Sequence, residues 1–120
     1  MAQSILFVDD EAPLGELMNS YLAGQGYDVT VALDGSEATA LLEQRAFDIV
    51  MLDLHMPKVS GLEVLQYMKD RGIVTHCFIM SGDDRPYILE LCHRFGVEGH
   101  LPKPFDFDDL GNILKQLRVP

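Results

Sequence analysis

The sequence predicts an α/β fold in which five parallel strands form a central sheet, covered by helices on both faces. Five short apolar runs, each bounded by turn-forming residues, alternate with five segments whose apolar residues recur at helical spacing. Residues 49–52 are apolar without a break, which is typical of a strand buried on both faces of a parallel sheet. The chain has no linker, internal repeat or low-complexity segment, so we expect a single domain spanning residues 1–120.

Each expected strand is an apolar run that ends at polar or turn-forming residues. In chain order, the expected strands are Ser4–Val8, Val29–Ala32, Ile49–Leu52, Val74–Met80 and Val97–Leu101.

The expected helices follow these strands. Pro13 suits the first turn of the first helix, which should run to about Gln25 because Gly26 stops it. Asp34 or Ser36 is expected to cap the second helix. The other helices are expected at Gly61–Arg71, Pro86–Phe95 and Asp108–Leu117. The inward residues of the first three helices are expected to be Leu14, Leu17, Met18, Tyr21 and Leu22, then Ala38, Leu41 and Leu42, then Val64, Leu65 and Met68.

Composition excludes several classes of protein. A hydrophobic fraction of 48% indicates a globular chain, and no apolar run is long enough to span a bilayer. The amino terminus lacks the basic and apolar regions of a signal peptide, so we expect a soluble, cytoplasmic protein without a membrane partner. A net charge of −10 disfavours direct binding to nucleic acid and favours a cation or a partner with a basic face. Cys77 and Cys92 lack metal-binding spacing and are expected to be buried free thiols.

Side chains capable of chemistry follow four of the expected strands. Asp9 and Asp10 follow the first, Asp53 the third, Ser81 the fourth and Lys103 the fifth. Asp53 taken alone is more typical of the start of a turn, because aspartate is common in turns. Because the carboxyl ends of parallel strands share one edge of the sheet, where such folds bind ligands, we expect these side chains to converge.

Three converging carboxylates require a positive charge, since each pair repels by about 4 kcal/mol at about 4 Å and an effective dielectric of about 20. Hard oxygen ligands without a His or Cys cluster indicate Mg²⁺, or Mn²⁺ in its place. Lys103 supplies a second positive charge and Ser81 a hydroxyl. Such a set can hold a phosphoryl group, with an aspartate as the nucleophile.

These motifs carry a family resemblance. They are Phe7-Val8-Asp9-Asp10-Glu11, Asp53-Leu54-His55-Met56-Pro57 with Gly61, Ser81-Gly82, and Lys103-Pro104-Phe105. In order and spacing, the whole chain resembles a two-component response-regulator receiver domain. The resemblance implies a flavodoxin-like (βα)5 three-layer sandwich with strand order 2-1-3-4-5. It implies a phosphorylation-controlled signalling switch. Such a switch is not an enzyme and catalyses only its own phosphoryl transfer and autodephosphorylation.

The resemblance also implies roles for individual residues. Asp53 would accept the phosphoryl group, and Ser81 and Lys103 would bind its oxygens. Asp10, Asp53 and the backbone carbonyl of His55 would ligate Mg²⁺, with Asp9 acting largely through water. The Lys103-Pro104 peptide bond would be cis, which is uncommon even before proline.

The resemblance implies two kinds of partner. A sensor histidine kinase or a phosphotransfer protein would donate the phosphoryl group. The surface of the fourth helix, fifth strand and fifth helix would regulate an output domain or a partner protein, and a homodimer is compatible with this arrangement. The sequence names neither the kinase nor the output.

The resemblance also implies roles for three further residues, which it locates by their distance from these motifs. His55 and Asp83 lie two residues after Asp53 and Ser81, and are predicted to tune hydrolysis of the acyl phosphate, the alternative being two solvated loop residues. His100, three residues before Lys103, occupies the position of an aromatic switch residue and is expected to face the fourth helix. Since histidine changes charge near neutral pH, coupling through it is predicted to depend on pH. The alternative is an outward surface residue.

The sequence also allows other roles for these residues and other classes of protein. Glu11 is expected to favour the positive start of the first helix over a metal contact. The four histidines at positions 55, 76, 93 and 100 share no spacing that predicts zinc. A phosphohydrolase with an aspartyl-phosphate intermediate would need a second acid where His55 stands. A flavin- or nucleotide-binding domain would need a Gly/Ser/Thr-rich loop after the first strand. A pseudo-receiver that is not phosphorylated is disfavoured by the complete set of core residues.

Overall fold

A computed structural model describes residues 2–56, 58–82 and 85–116, in which strands and helices alternate along the chain. The strands are β1 Ser4–Val8, β2 Asp28–Ala32, β3 Ile49–Asp53, β4 His76–Ser81 and β5 Gly99–Pro102. The helices are α1 Ala12–Gly24, α2 Gly35–Gln44, α3 Gly61–Asp70, α4 Tyr87–Phe95 and α5 Phe107–Lys115.

The sheet is parallel and has the order β2-β1-β3-β4-β5, which confirms the expected topology. Val8 pairs with Leu52, so Asp9 and Asp53 leave neighbouring strands at the same level. Asp53 pairs with Met80, and the next residue, Ser81, pairs with Pro102. The register therefore brings the predicted site residues to one edge of the sheet.

The core lies on both faces of the sheet, because alternate residues of each strand point to opposite sides. One face packs against α2, α3 and α4 through residues such as Leu6, Val50 and Ile79. The other packs against α1 and α5 through residues such as Phe7, Met51 and Met80. Both faces of β3 are buried, as its unbroken apolar run predicts.

The expected starts of β4 and β5 are each two residues too early. Val74 is 93% exposed, and β4 begins only at His76, whose N–H donates to the Asp48 carbonyl where pairing with β3 starts. The Val97 N–H bonds to the Cys92 carbonyl at the end of α4, so β5 begins later, at Gly99. Pairing with a neighbouring strand, and not the apolar run, sets these boundaries.

Leu17 was expected to face inward but is 53% exposed. Gly15, Met18 and Leu22 form the buried face of α1. At 3.6 residues per turn, Leu17 lies roughly 130° around the helix from the centre of that face. Its spacing from Leu14 is helical, but the buried stripe is too narrow to include it.

Cys77 is buried, as expected, and Cys92 is half-buried; both are free thiols. Burial raises the pKa of Cys77 to about 12. In the part of the chain that the structure describes, no helix has the length and apolar composition needed to cross a bilayer.

Candidate functional site at the carboxyl edge of the sheet

Asp53 lies at the end of β3 and is 4% exposed. Its Oδ1 accepts a hydrogen bond from the His55 backbone N–H at 3.1 Å, and its Oδ2 lies 3.4 Å from Lys103 Nζ. One carboxylate oxygen is therefore held by its own loop, while the other faces the cation of Lys103, the residue that follows β5.

The loop after Asp53 is fixed by a close backbone approach at Gly61. The Gly61 N–H donates to the Leu54 carbonyl at 3.2 Å. A Cβ atom at Gly61 would lie 2.3 Å from the Asp53 carbonyl oxygen, closer than any side chain tolerates. Ser60 caps α3 directly before it, with its hydroxyl accepting from the Glu63 N–H. The glycine thus lets α3 begin directly against the end of β3.

Lys103 brings its ammonium group into the acidic centre. Its Nζ lies 2.6 Å from Asp9 Oδ2, 3.3 Å from Glu11 Oε1 and 3.4 Å from Asp53 Oδ2. Its backbone N–H donates to the Ser81 carbonyl at 2.9 Å, and its peptide bond to Pro104 is cis, as the family resemblance implies. The end of β5 is thereby tied to the end of β4.

Burial and charge shift the pKa values of both partners. Burial raises the pKa of Asp53 above its ordinary value; the His55 N–H and the charge of Lys103 oppose this rise, and the charge of Asp9 adds to it. Burial lowers the pKa of Lys103, but the hydrogen bond to Asp9 and the charges of Asp9 and Asp53 outweigh burial and raise it. The site therefore favours a charged lysine and resists ionisation of Asp53.

Asp9, Asp10 and Asp53 form the acidic group that the sequence predicted. One oxygen from each lies within 4.8 Å of the others. Asp9 is fully buried, whereas Asp10 is exposed. Lys103 balances one negative charge, so an uncompensated negative charge remains at the group. Hard oxygen donors with excess negative charge fit Mg²⁺.

Sequence reasoning missed the main contact of Glu11. Its backbone caps α1, but its side chain makes no capping hydrogen bond and instead contacts Lys103. Glu11 stands at the N-cap of α1, and its expected electrostatic role at the helix start stays a prediction. Since 92 residues separate the partners, no local pattern in the sequence indicated the contact.

Ser81 ends β4, and His100, the second residue of β5, is adjacent to it in space. Ser81 is 1% exposed, and His100 Nε2 lies 3.3 Å from its carbonyl oxygen. His100 pairs with Ile79, which belongs to the face packed against α2, α3 and α4, so it lies on the predicted side of the sheet. His55 is exposed beside Asp53, and Asp83 lies outside the described residues.

Comparisons with known proteins agree with this geometry. The model of the response regulator receiver domain family matches residues 5–115. The transcriptional regulatory protein DltR of Streptococcus agalactiae is 31% identical over 88% of this chain and 47% of its own length. The regulator PhoP of Bacillus subtilis is 31% identical over 88% of this chain and 44% of its own length. The chain therefore spans about half the length of these curated relatives.

Solved structures show the same fold. The response regulator TrrA of Thermotoga maritima, in complex with Mg²⁺-BeF, has a TM-score of 0.84 and 30% identity, covering 97% of this chain and 99% of that one. The chemotaxis protein CheY4 of Vibrio cholerae has a TM-score of 0.89 and 26% identity, covering 98% of this chain and all of that one. The chain therefore belongs to the response regulator receiver domain family, which acts in two-component, phosphorylation-controlled signalling.

Proposed function

We propose that Asp53 accepts a phosphoryl group from a phosphohistidine of a sensor histidine kinase or a phosphotransfer protein. The observation that carries this proposal is the placement of a buried carboxylate at a strand end, with Lys103 and two further acids around it. An aspartate that accepts a phosphoryl group requires cations to neutralise charge and further acids to hold a metal cation. A simple turn residue requires neither.

In the proposed transfer, an Asp53 oxygen attacks the phosphorus atom of the phosphohistidine. A P–O bond forms and the P–N bond breaks, and its electron pair stays on the imidazole nitrogen of the donor, which then takes up a proton. Lys103, already 3.4 Å from Asp53, neutralises charge on the phosphoryl oxygens, and the Ser81 hydroxyl donates a hydrogen bond to one of them.

Asp9, Asp10 and Asp53, with the His55 carbonyl, would hold Mg²⁺, or Mn²⁺ in its place, which would neutralise the carboxylates and the phosphoryl oxygens. The burial of Asp9 and its 2.6 Å contact with Lys103 favour an indirect role through water for Asp9. The exposure of Asp10 leaves its carboxylate accessible for a direct one.

The signal ends when water attacks the phosphorus atom, the P–O bond to Asp53 breaks and inorganic phosphate leaves. This autodephosphorylation is the only hydrolysis we assign to the chain. His55, exposed beside Asp53, and Asp83, after Ser81, are proposed to tune its rate.

The output is proposed to be read on the surface of α4, β5 and α5. Movement of the Ser81 hydroxyl toward the phosphoryl group is proposed to be sensed by His100, which contacts the Ser81 carbonyl and lies on the α4 side of β5. Residues 1–120 would act as one cytoplasmic domain that regulates an output domain or a partner protein, or forms a homodimer. This surface is not proposed to bind nucleic acid, because the chain carries a net charge of −10.

The test is incubation with acetyl phosphate and Mg²⁺, followed by intact-protein mass spectrometry. Wild type and the matched control Asp70→Asn, which alters an exposed aspartate at the end of α3, should gain the mass of one phosphate. Asp53→Asn should gain none, because the amide is nearly isosteric but not nucleophilic. Stoichiometric phosphorylation of Asp53→Asn would show that the acceptor is another residue.

A further inference from the structure

Glu11 lies where the first helix meets the acidic site. Its backbone N–H donates to Asp9 Oδ1 at 2.9 Å, which fixes the residue beside the buried carboxylate. Its own carboxylate makes no hydrogen bond with the exposed N–H groups of α1, although an acid at a helix start commonly does. It contacts Lys103 instead, at 3.3 Å.

Three carboxylates contact the ammonium group of Lys103 in this arrangement. A lysine ammonium carries three N–H bonds. Asp9, Glu11 and Asp53 supply three carboxylate acceptors at 2.6, 3.3 and 3.4 Å. An oxygen of an arriving phosphoryl group therefore has to compete with these three carboxylates for the Lys103 ammonium.

Exposure identifies the contact that is released most easily. The side chain of Asp9 is fully buried and has the shortest contact, so releasing it would leave a buried charge unpaired. The Asp53 side chain is 6% exposed, and Lys103 must stay beside it to reach the phosphoryl group that Asp53 carries. The Glu11 side chain is 64% exposed, so water can replace Lys103 at little cost.

We propose that Glu11 is a positioning residue that holds Lys103 in the unphosphorylated state and competes with the phosphoryl group for its ammonium. The proposal rests on the proposed function of Asp53. Glu11 therefore weakens the binding of a phosphoryl group to the site, and phosphorylation releases its carboxylate at the start of α1.

Two substitutions at Glu11 separate contact from charge. Glu11→Gln removes the charge and keeps the length of the side chain. Glu11→Asp keeps the charge but is shorter by one methylene and cannot maintain the 3.3 Å contact. Glu16→Gln, which removes an exposed acid further along α1, is the control for net charge.

The affinity of each variant for beryllofluoride, a phosphoryl mimic, is measured by calorimetry at a Mg²⁺ concentration shown to saturate that variant. An exposed ion pair contributes little, so Glu11→Gln and Glu11→Asp should each bind beryllofluoride about two- to fivefold more tightly than wild type. Glu16→Gln should match wild type. The ¹⁵N shift of Lys103 Nζ in the metal-free protein should change in both Glu11 variants and stay unchanged in Glu16→Gln.

Three results would overturn the proposal. Tighter binding by Glu11→Gln with wild-type binding by Glu11→Asp would assign the effect to charge and not to the contact. Unchanged affinity in both variants would exclude competition. If wild type itself does not bind beryllofluoride, the proposed function fails and competition fails with it, while the Nζ shift still reports whether Glu11 holds Lys103.

Discussion

Among the single residues of the site, Asp53 shows how burial and charge set stability. Its raised pKa means that the folded state binds the Asp53 proton more tightly than the unfolded chain, whose carboxyl has a pKa near 3.8. The favourable contribution is complete below that value and is lost as the pH rises through the folded pKa. Once ionised, the buried carboxylate therefore destabilises the fold relative to its protonated form.

Asp53→Asn should raise the midpoint of thermal unfolding at pH 7 in the absence of metal, because an amide needs no charge neutralisation. The gain in the free energy of unfolding should lie within the roughly 0.5–3 kcal/mol that is usual for single substitutions. This gain should become smaller toward pH 4. Calorimetry from pH 4 to 8 in EDTA measures it, with Asp70→Asn as control. A lower midpoint at pH 7 would mean that the attraction of Lys103 outweighs burial.

Lys58, in the loop after Asp53, has a backbone φ of 64°, which residues other than glycine rarely adopt. Lys58→Gly should stabilise the protein by about 1 kcal/mol. Glycine removes the steric cost of the left-handed conformation in the folded state, and this gain exceeds the loss from the greater conformational entropy of the unfolded chain. Urea unfolding measures the change. Lys58→Ala removes the same charge but keeps the strain, so equal gains in both variants would point to charge instead.

At the level of residues, the sequence predicted those groups whose position follows from a strand end. Asp9, Asp53, Ser81 and Lys103 converge because parallel strands finish at one edge. The side-chain contact of Glu11 could not be predicted this way. It depends on how far the flexible side chains of Glu11 and Lys103 reach, which the position of a strand end does not specify.

Among the elements, the junction of β3 and α3 tolerates least change. Gly61→Ala should destabilise the protein by about 1–3 kcal/mol, because its Cβ would lie 2.3 Å from the Asp53 carbonyl and the loop must shift. The same shift should slow phosphorylation by acetyl phosphate, because it moves Asp53. Urea unfolding and mass spectrometry measure the two effects.

Gly24→Ala is the matched control, since a Cβ at Gly24 meets nothing within 4 Å. This substitution should be neutral or stabilising, because alanine favours a helix more than glycine does. If Gly61→Ala were as stable and as active as Gly24→Ala, the close approach would not constrain the site.

Element types were predicted well because apolar runs and helical spacing report burial directly. Boundaries were less accurate where burial and pairing diverge. Val74 extends the apolar run at the start of β4, but it precedes His76, the first residue that pairs with β3. Leu17 likewise has helical spacing but lies outside the buried face of α1. Both errors concern neighbours in space, which periodicity along one segment does not identify.

For the whole molecule, Mg²⁺ should act as a stabilising ligand because the folded chain assembles three carboxylates that the unfolded chain keeps apart. A ligand at about 100 times its Kd stabilises by about 2.7 kcal/mol. Asp10→Ala should lose most of this Mg²⁺-dependent rise in melting temperature, and its exposed position should leave the metal-free fold intact. An undiminished rise in Asp10→Ala would remove Asp10 from the metal site.

The α/β class of the molecule follows from the alternation of strands and helices, but the strand order does not. Alternation alone allows several arrangements of five parallel strands. The order β2-β1-β3-β4-β5 came from the family resemblance and is confirmed by the structure. That order places β1 and β3 side by side, and so sets Asp9 beside Asp53.

Because all five strands are parallel, the site lies at their carboxyl ends, and a change at their amino ends is distant from it. The loop before β4 projects there, with Val74 93% exposed, while Asp53 lies about one strand length away, roughly 17 Å for five residues. A short affinity tag inserted at Val74 would extend into solvent from the amino edge. Protein immobilised through such a tag would present its carboxyl edge, with Asp53 and Lys103, to molecules in solution.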